Sequence, residues 1–338
     1  MAANELLTTL LRDVSRSFYL TLRVLPASIR PQIGLAYLLA RATDTIADTD
    51  IVPVAQRLAA LRQLRAAILA SANPSQGTSL GFGELAKQQG LPAERLLLER
   101  IGEALAVLNG LRSSDRKLVC EVLGTITSGQ ELDLQRFDGA SADRIAALQT
   151  DAELDDYTYR VAGCVGEFWT RMCRAHVFPR ADMDEARLLA DGVRFGKGLQ
   201  LVNILRDLPR DLRQGRCYLP AERLAAIGLS PRDLLDEANE PRLRRLYDEL
   251  LSLAREHLTA GWTYTCSLPW SCVRVRLACA WPVLIGLQTL DRLARGRVLG
   301  GERLKVSRAE VRGVMLKTVA LYPLPGVWRG LGPKEARP

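Results

Sequence analysis

Residues 34–48 read GLAYLLARATDTIAD. The apolar neighbours Leu38, Leu39, Ala40 and Ile46 are interleaved with polar residues at helical rather than strand intervals. Tyr37, Arg41, Asp44 and Asp48 follow at spacings of four, three and four, which on a helix places them within roughly 60° of one another. One face therefore carries a phenol, a guanidinium and two carboxylates. The same recurrence of apolar residues at three and four runs along nearly the whole chain, and β-branched alternation is scarce, so the sequence predicts an all-α fold. Helices are expected over 4–14, 28–48, 53–72, 92–109, 113–134, 151–176, 183–208, 220–227, 241–266, 272–296 and 307–319, with a loop at 73–83, NPSQGTSLGFG.

The 338 residues are 48% apolar and 25% charged, enough to bury a large core, which excludes disordered and collagen-like classes. No shift in composition divides the chain and no repeat is visible, so one helical-bundle domain over 1–338 is expected, with a peripheral tail from about 321. Forty-six Lys and Arg against 38 Asp and Glu leave a formal charge of +8, which suits an anionic partner. No compact basic motif or interleaved aromatic platform accompanies that charge, so no nucleic-acid partner is expected. The longest apolar stretch, 277–287, falls short of the roughly 18 to 20 residues of a spanning helix. The N-terminus lacks a signal-like apolar core, and a cytoplasmic protein is expected. Seven Cys without a CxxC pair, and only His176 and His257, argue against a disulfide framework and a zinc site.

A second acidic helix lies in LQLVNILRDLPRDLRQGRCYLP, residues 199–220. Gln200, Asn203, Asp207 and Asp211, at spacings of three, four and four, share one side, with Arg206 beside them. Carboxylates four residues apart repel each other unless positive charge sits between them. Two such pairs in one bundle point to divalent cations bridging carboxylates and an anionic ligand. Mg²⁺ suits them, because it takes one or two carboxylates and completes its shell with water and phosphate oxygens. Arg16, Arg41, Arg206 and Arg216 are candidates to neutralise the remaining phosphate charge. Pro209, between Asp207 and Asp211, removes a helix hydrogen bond and predicts a kink, which makes Asp207 the stronger ligand candidate.

The chain resembles the squalene and phytoene synthase family, the head-to-head trans-isoprenyl diphosphate synthases. The resemblance rests on SRSF at 15–18, YLLARATDTIAD at 37–48, ITSGQELDL at 126–134, YTYRVAGCVG at 157–166 and the 199–220 stretch, and continues weakly through Trp281-Pro282 and Lys305 to Arg308. It implies an all-α isoprenoid-synthase fold with a central cavity and two Asp-rich helices facing across its mouth. Asp44, Asp48, Asn203, Asp207 and Asp211 would then hold Mg²⁺. Ser15, Arg16, Tyr37, Arg41, Gln200, Arg206 and Arg216 would contact diphosphate. Asp44 and Asp207 would be catalytic together with Tyr157, four residues before Val161. Many relatives have Tyr directly before the VAG motif, whereas this chain has Arg160 there and Tyr159 one residue earlier, leaving two phenols to choose between.

The implied reaction joins two farnesyl diphosphates through presqualene diphosphate to squalene. One substrate ionises, the double bond of the other attacks, and proton loss closes a cyclopropane; a second ionisation, rearrangement and hydride from NADPH follow. The cation needs an apolar cavity that excludes water, for which Phe18, Phe168, Trp169 and Trp281 are candidate linings. Asn203, Arg206, Lys305 and Arg308 are the candidate NADPH contacts. The alternatives are a hydroxysqualene, dehydrosqualene or phytoene synthase without reductant, or a catalytically silent assembly protein of the same fold. Substrate tails, an insoluble product and the segment LYPLPGVWRGL, 321–331, raise the expectation of peripheral contact with the inner face of the membrane. Oligomeric state stays open.

Overall fold

The computed structural model describes residues 5–15, 19–71, 82–300 and 304–333. Its helices, in chain order, are α1 (Leu11–Ser15), α2 (Tyr19–Val24), α3 (Arg30–Ala47), α4 (Val54–Ala70), α5 (Gly83–Lys87), α6 (Pro92–Glu99), α7 (Ile101–Asn109), α8 (Ser113–Arg136), α9 (Asp151–Thr158), α10 (Cys164–His176), α11 (Glu185–Arg213), α12 (Ala221–Ala226), α13 (Glu240–Ser267), α14 (Val273–Arg295), α15 (Arg308–Ala320) and α16 (Pro325–Arg329). Leu6–Leu10 and Tyr159–Gly163 are π-helical turns. The all-α expectation holds, with a single two-residue parallel pair, β1 (Ala146–Ala147) beside β2 (Arg216–Cys217), among the described residues. Contacts group the chain into two compact units, Met1–Gln135 with Phe168–Arg180, and Arg136–Glu167 with Ala181–Pro338.

In the first unit α3 packs on α4, α6 and α7. Leu35, Leu38, Leu39, Ala42 and Ile46 form its buried stripe, the apolar face that the spacing required. Where one helix over 92–109 was expected, Arg100 leaves helical geometry at φ −102°, ψ 17° and separates α6 from α7. Its guanidinium there grips Glu103 at 2.8–2.9 Å and reaches Glu5. The expected loop at 73–83 lies outside the described residues except for Phe82 and Gly83.

The second unit is organised by α11, which packs along α13 and α14. The expected end of α11 at 208 is corrected: the helix continues through Pro209 to Arg213. Proline lacks the N–H that would bond the carbonyl four residues back, here Leu205. That carbonyl instead accepts the hydroxyl of Tyr247 from α13 at 2.9 Å, both groups being buried. The orphaned acceptor is satisfied by a neighbouring helix, and Asp207 and Asp211 keep their helical spacing.

The Tyr159–Gly163 turn and the start of α10 meet α11 backbone to backbone. A Cβ on Gly166 would lie 1.8 Å from the Gly192 carbonyl oxygen, and one on Gly196 would lie 2.1 Å from that of Ala162. Only glycine permits this approach. After α11, Gly215 at φ +79° reverses the chain into β2, where Ala146 N–H bonds the Gly215 carbonyl at 2.9 Å.

α14 is the one described helix long and apolar enough to cross a membrane, but 67% of its most apolar window is buried inside the fold. The 321–331 segment is packed through an aromatic cluster. Trp328 is fully buried between Trp262 and Trp270, Tyr322 stacks on Trp270, and the Arg276 guanidinium lies 4.5 and 4.8 Å from the Trp270 and Trp328 rings. All seven Cys are reduced, and burial pushes the Cys164 and Cys217 thiols up to about 12.

Candidate active site

On α3, Arg41 is the hub of the first acidic face. It pairs with Asp44 at 2.5 Å and with Glu94 of α6. Asp48 caps the helix, its N–H bonding the Asp44 carbonyl at 2.9 Å. The Asp44 side chain keeps 42% of its surface open to water, yet it sits among so many protein atoms that crowding, and after it the Asp48 charge, push its carboxyl up to about 7 against the pull of Arg41. The face thus carries more negative charge than its own arginine offsets. Tyr37 lies two turns before Asp44 on the same side. Arg57, buried, braces the helix end by donating to the Ala47 carbonyl at 2.7 Å and reaching Asp50 at 3.4 Å.

On α11, Arg206 forks onto Asp207 with bonds of 2.9 and 2.5 Å. Asn203 is exposed, and its amide approaches the Gln200 carbonyl oxygen at 3.4 Å. Asp211 is half-buried one turn after Asp207, whereas the buried stripe of the helix is Leu201, Val202, Ile204, Leu205, Leu208 and Leu212. Polar and apolar residues are thereby sorted onto separate sides, as the spacing requires.

The two phenols go to different surroundings. Tyr157 of α9 stacks on Tyr218 with centroids 4.7 Å apart, and Tyr218 meets Phe137 edge-on at 5.3 Å. Arg216, in β2, lies over the Phe137 ring at 5.9 Å. Tyr157 and Arg216 therefore belong to one aromatic assembly. Tyr159 instead donates to Glu167 at 3.2 Å and has the Lys197 ammonium 5.9 Å from its ring; that ammonium bonds Asp155 at 2.6 Å.

The sequence pattern of squalene/phytoene synthase matches residues 11–310, which takes in both acidic helices and both phenols. The chain belongs to the squalene/phytoene synthase family. It is 30% identical over 245 residues to the presqualene diphosphate synthase of Rhodopseudomonas palustris, 72% of each chain being covered. It is also 30% identical over 251 residues, 73% of its length, to a bifunctional lycopene cyclase/phytoene synthase of Gibberella fujikuroi, but spans only 40% of that longer protein. Among solved structures, TcSQS in complex with a ligand superposes with a TM-score of 0.75 at 22% identity, covering 96% of this chain and 91% of the other. As a family member the chain is an enzyme that transfers prenyl groups by head-to-head condensation.

The donors fit the metal that a squalene/phytoene synthase of this kind uses. They are carboxylate oxygens, suited to a hard cation. Among the described residues no three His, Cys, Asp or Glu side chains converge as a metal cage. In the first unit Asp44 and Asp48, and in the second Asp207 and Asp211 with Asn203, are the side chains that would hold such an ion. When bound, the metal stabilises negative charge on a leaving diphosphate.

The candidate NADPH contacts lie on α11 and around the start of α15. Arg206 is engaged with Asp207, the Lys305 carbonyl accepts from Arg292, and Arg308 is an exposed first residue of α15. Two residues on, the Glu310 carboxyl is held at about 2 by the Ser307 hydroxyl and N–H and by Arg292, so a fixed negative charge stands beside Arg308. Ser15 is buried and its hydroxyl donates to the Leu11 carbonyl. Arg16 and Phe18 lie outside the described residues. Phe168 is buried and Trp169 half-buried, while the Trp281 indole is committed to Thr318 at 2.9 Å. Glu94 and Tyr218 were missed by sequence reasoning. No spacing relates Glu94 to Arg41, and for Tyr218 the only signal was its place in the matched GRCYLP segment.

Proposed function

We propose that this enzyme joins two farnesyl diphosphates through presqualene diphosphate to squalene, with Mg²⁺ at the carboxylates and NADPH as reductant. The observation that carries the reading is the pair of acidic helix faces, Asp44 and Asp48 with Arg41, and Asp207 and Asp211 with Arg206. Arg41 and Arg206 orient the carboxylates they grip and add positive charge where diphosphate departs. Asn203 and Gln200 offer amides to phosphate oxygens, and Arg216 offers a guanidinium steadied over Phe137. Tyr157, which stacks on Tyr218, would accept or relay the proton lost as the cyclopropane closes. The cation would need apolar surroundings that exclude water, which would otherwise quench it.

A second reading, release of presqualene diphosphate as the product, is favoured by the similarity to the Rhodopseudomonas palustris enzyme over 72% of both chains. Incubation of the purified protein with Mg²⁺ and farnesyl diphosphate, with and without NADPH and alongside geranylgeranyl diphosphate, distinguishes them by mass spectrometry of the products. Squalene formed only with NADPH supports the primary reading. Presqualene diphosphate accumulating with or without NADPH supports the second. Hydroxysqualene, dehydrosqualene or phytoene would replace the final step, and absence of any condensation product would return weight to a silent assembly role.

A further inference from the structure

The sequence of α6, PAERLLLE, turns one carboxylate inward. Leu97 and Leu98 are its buried residues. Positions three and four apart share one side of a helix, so the side that buries these leucines also carries Glu94, and only 15% of the Glu94 side chain stays open to water. The other acidic residue of α6 behaves ordinarily: Glu99 pairs with Arg95 at 2.8 Å on the exposed side. A carboxylate on an inward face is stable only when it is paired. The partner of Glu94 is Arg41, whose Nη2 donates to Glu94 Oε1.

Arg41 is thereby held at both tips. Its Nη1 donates to Asp44 Oδ2 at 2.5 Å and its Nη2 to Glu94, while its Nε is buried without a partner. A guanidinium carries five N–H donors in a rigid fork. With one spent on each carboxylate and Nε turned into the protein, one N–H on each terminal nitrogen is left for an outside anion. Arg41 takes only one oxygen of Asp44 in this arrangement. Arg206 on α11 shows the alternative, since it closes two nitrogens onto both oxygens of Asp207. Without Glu94, Arg41 would be free to close on Asp44 in the same bidentate way and would compete with a cation for that carboxylate.

We propose that Glu94 is a positioning residue that draws the Arg41 guanidinium off Asp44, so that Asp44 keeps an oxygen for a divalent ion and Arg41 keeps its remaining N–H groups for diphosphate. The inference rests on the reading of Asp44 as a metal ligand and of Arg41 as a diphosphate contact. Once a cation takes Asp44, Glu94 is the carboxylate that still holds the arginine in place. Its position on α6 makes that hold independent of α3, because Leu97 and Leu98 anchor α6 by their own burial.

Calorimetry of the whole protein with inorganic pyrophosphate and Mg²⁺ tests this without turnover and reads affinity and stoichiometry separately. Removing a negative charge beside an anion site would by itself tighten pyrophosphate binding, whereas loss of position loosens it, so the direction of the change separates the two. Glu94→Ala should bind pyrophosphate roughly tenfold or more weakly at full stoichiometry, and its half-saturating Mg²⁺ concentration should rise. Glu94→Gln keeps an oxygen acceptor at the same reach, so it should fall between Glu94→Ala and the parent, and it carries the test if the alanine variant does not fold. Glu99→Ala, on the exposed side of the same helix, should match the parent. A merely structural role would lower the stoichiometry or the thermal melt and leave affinity and Mg²⁺ dependence alone, which would overturn the proposal. So would Glu94→Gln binding as tightly as the parent or more tightly while Arg41→Met loses affinity, a result that leaves the diphosphate role of Arg41 standing. If Arg41→Met binds as the parent does, or the parent does not bind pyrophosphate with Mg²⁺, the diphosphate role of Arg41 fails and that of Glu94 fails with it.

Discussion

Replacing Tyr247 by Phe removes one oxygen atom from the interior of the second unit. The hydroxyl it deletes is the donor, at 2.9 Å, to the Leu205 carbonyl that Pro209 leaves without its helix partner. Tyr247 is fully buried, so water does not replace the donor. A buried acceptor left unsatisfied costs about 1–3 kcal/mol, while the ring itself is unchanged and creates no large cavity. Tyr247→Phe should therefore lower unfolding stability by about that amount. Pro209→Ala supplies an N–H four residues after Leu205, so in that background the same change should cost at least about 1 kcal/mol less. Four of the five tryptophans, Trp262, Trp270, Trp281 and Trp328, lie in the second unit, so urea titration followed by tryptophan fluorescence reports on it. Equal costs in the two backgrounds, within about 0.5 kcal/mol, would refute the account of how α11 passes through Pro209.

Three further outcomes follow from the site. Asp44→Asn and Asp207→Asn should each fold yet release diphosphate from farnesyl diphosphate at least about 10²-fold more slowly, and near-normal turnover in either would remove that residue from the metal assignment. In metal-free protein Asp44 should also set a pH dependence. Its folded value of about 7 exceeds the ordinary 3.8, so its contribution is most favourable below 3.8 and is lost as pH rises through about 7. Asp44→Asn should then be more stable than the parent in mildly alkaline buffer and no more stable in acid; thermal melts without metal at several pH values would show a constant difference if this is mistaken. Gly196→Ala, whose Cβ would meet the Ala162 carbonyl at 2.1 Å, should force α11 away from the Tyr159–Gly163 turn and cost about 1–3 kcal/mol or more. A melt within a degree or so of the parent's would show that the crossing relaxes freely.

Some features needed nothing beyond local chemistry. An apolar residue every three or four positions forces a helix to bury that side, so α3, α11, α13 and α14 were legible, and so was the sharing of one face by Asp44 and Asp48 or by Asp207 and Asp211. Short elements were not. α2, α5 and α16 hold five or six residues each, too few for a period to stand out. The π turn at Tyr159–Gly163 has no compositional mark of its own; the glycine it packs against, Gly196, sits more than thirty residues later.

The chain by itself determined its helical class, its family and which side chains share each acidic face, because these depend on rise, rotation and the order of residues along one helix. Only the tertiary structure decided that Glu94 shares Arg41 with Asp44, that Tyr157 rather than Tyr159 stacks on Tyr218, and that Tyr247 takes the place of the bond Pro209 cannot make. Each joins residues 42 to 61 positions apart. Such pairs are chosen by which helices pack together, and the free energy that selects them is collective burial rather than any local preference of the residues concerned.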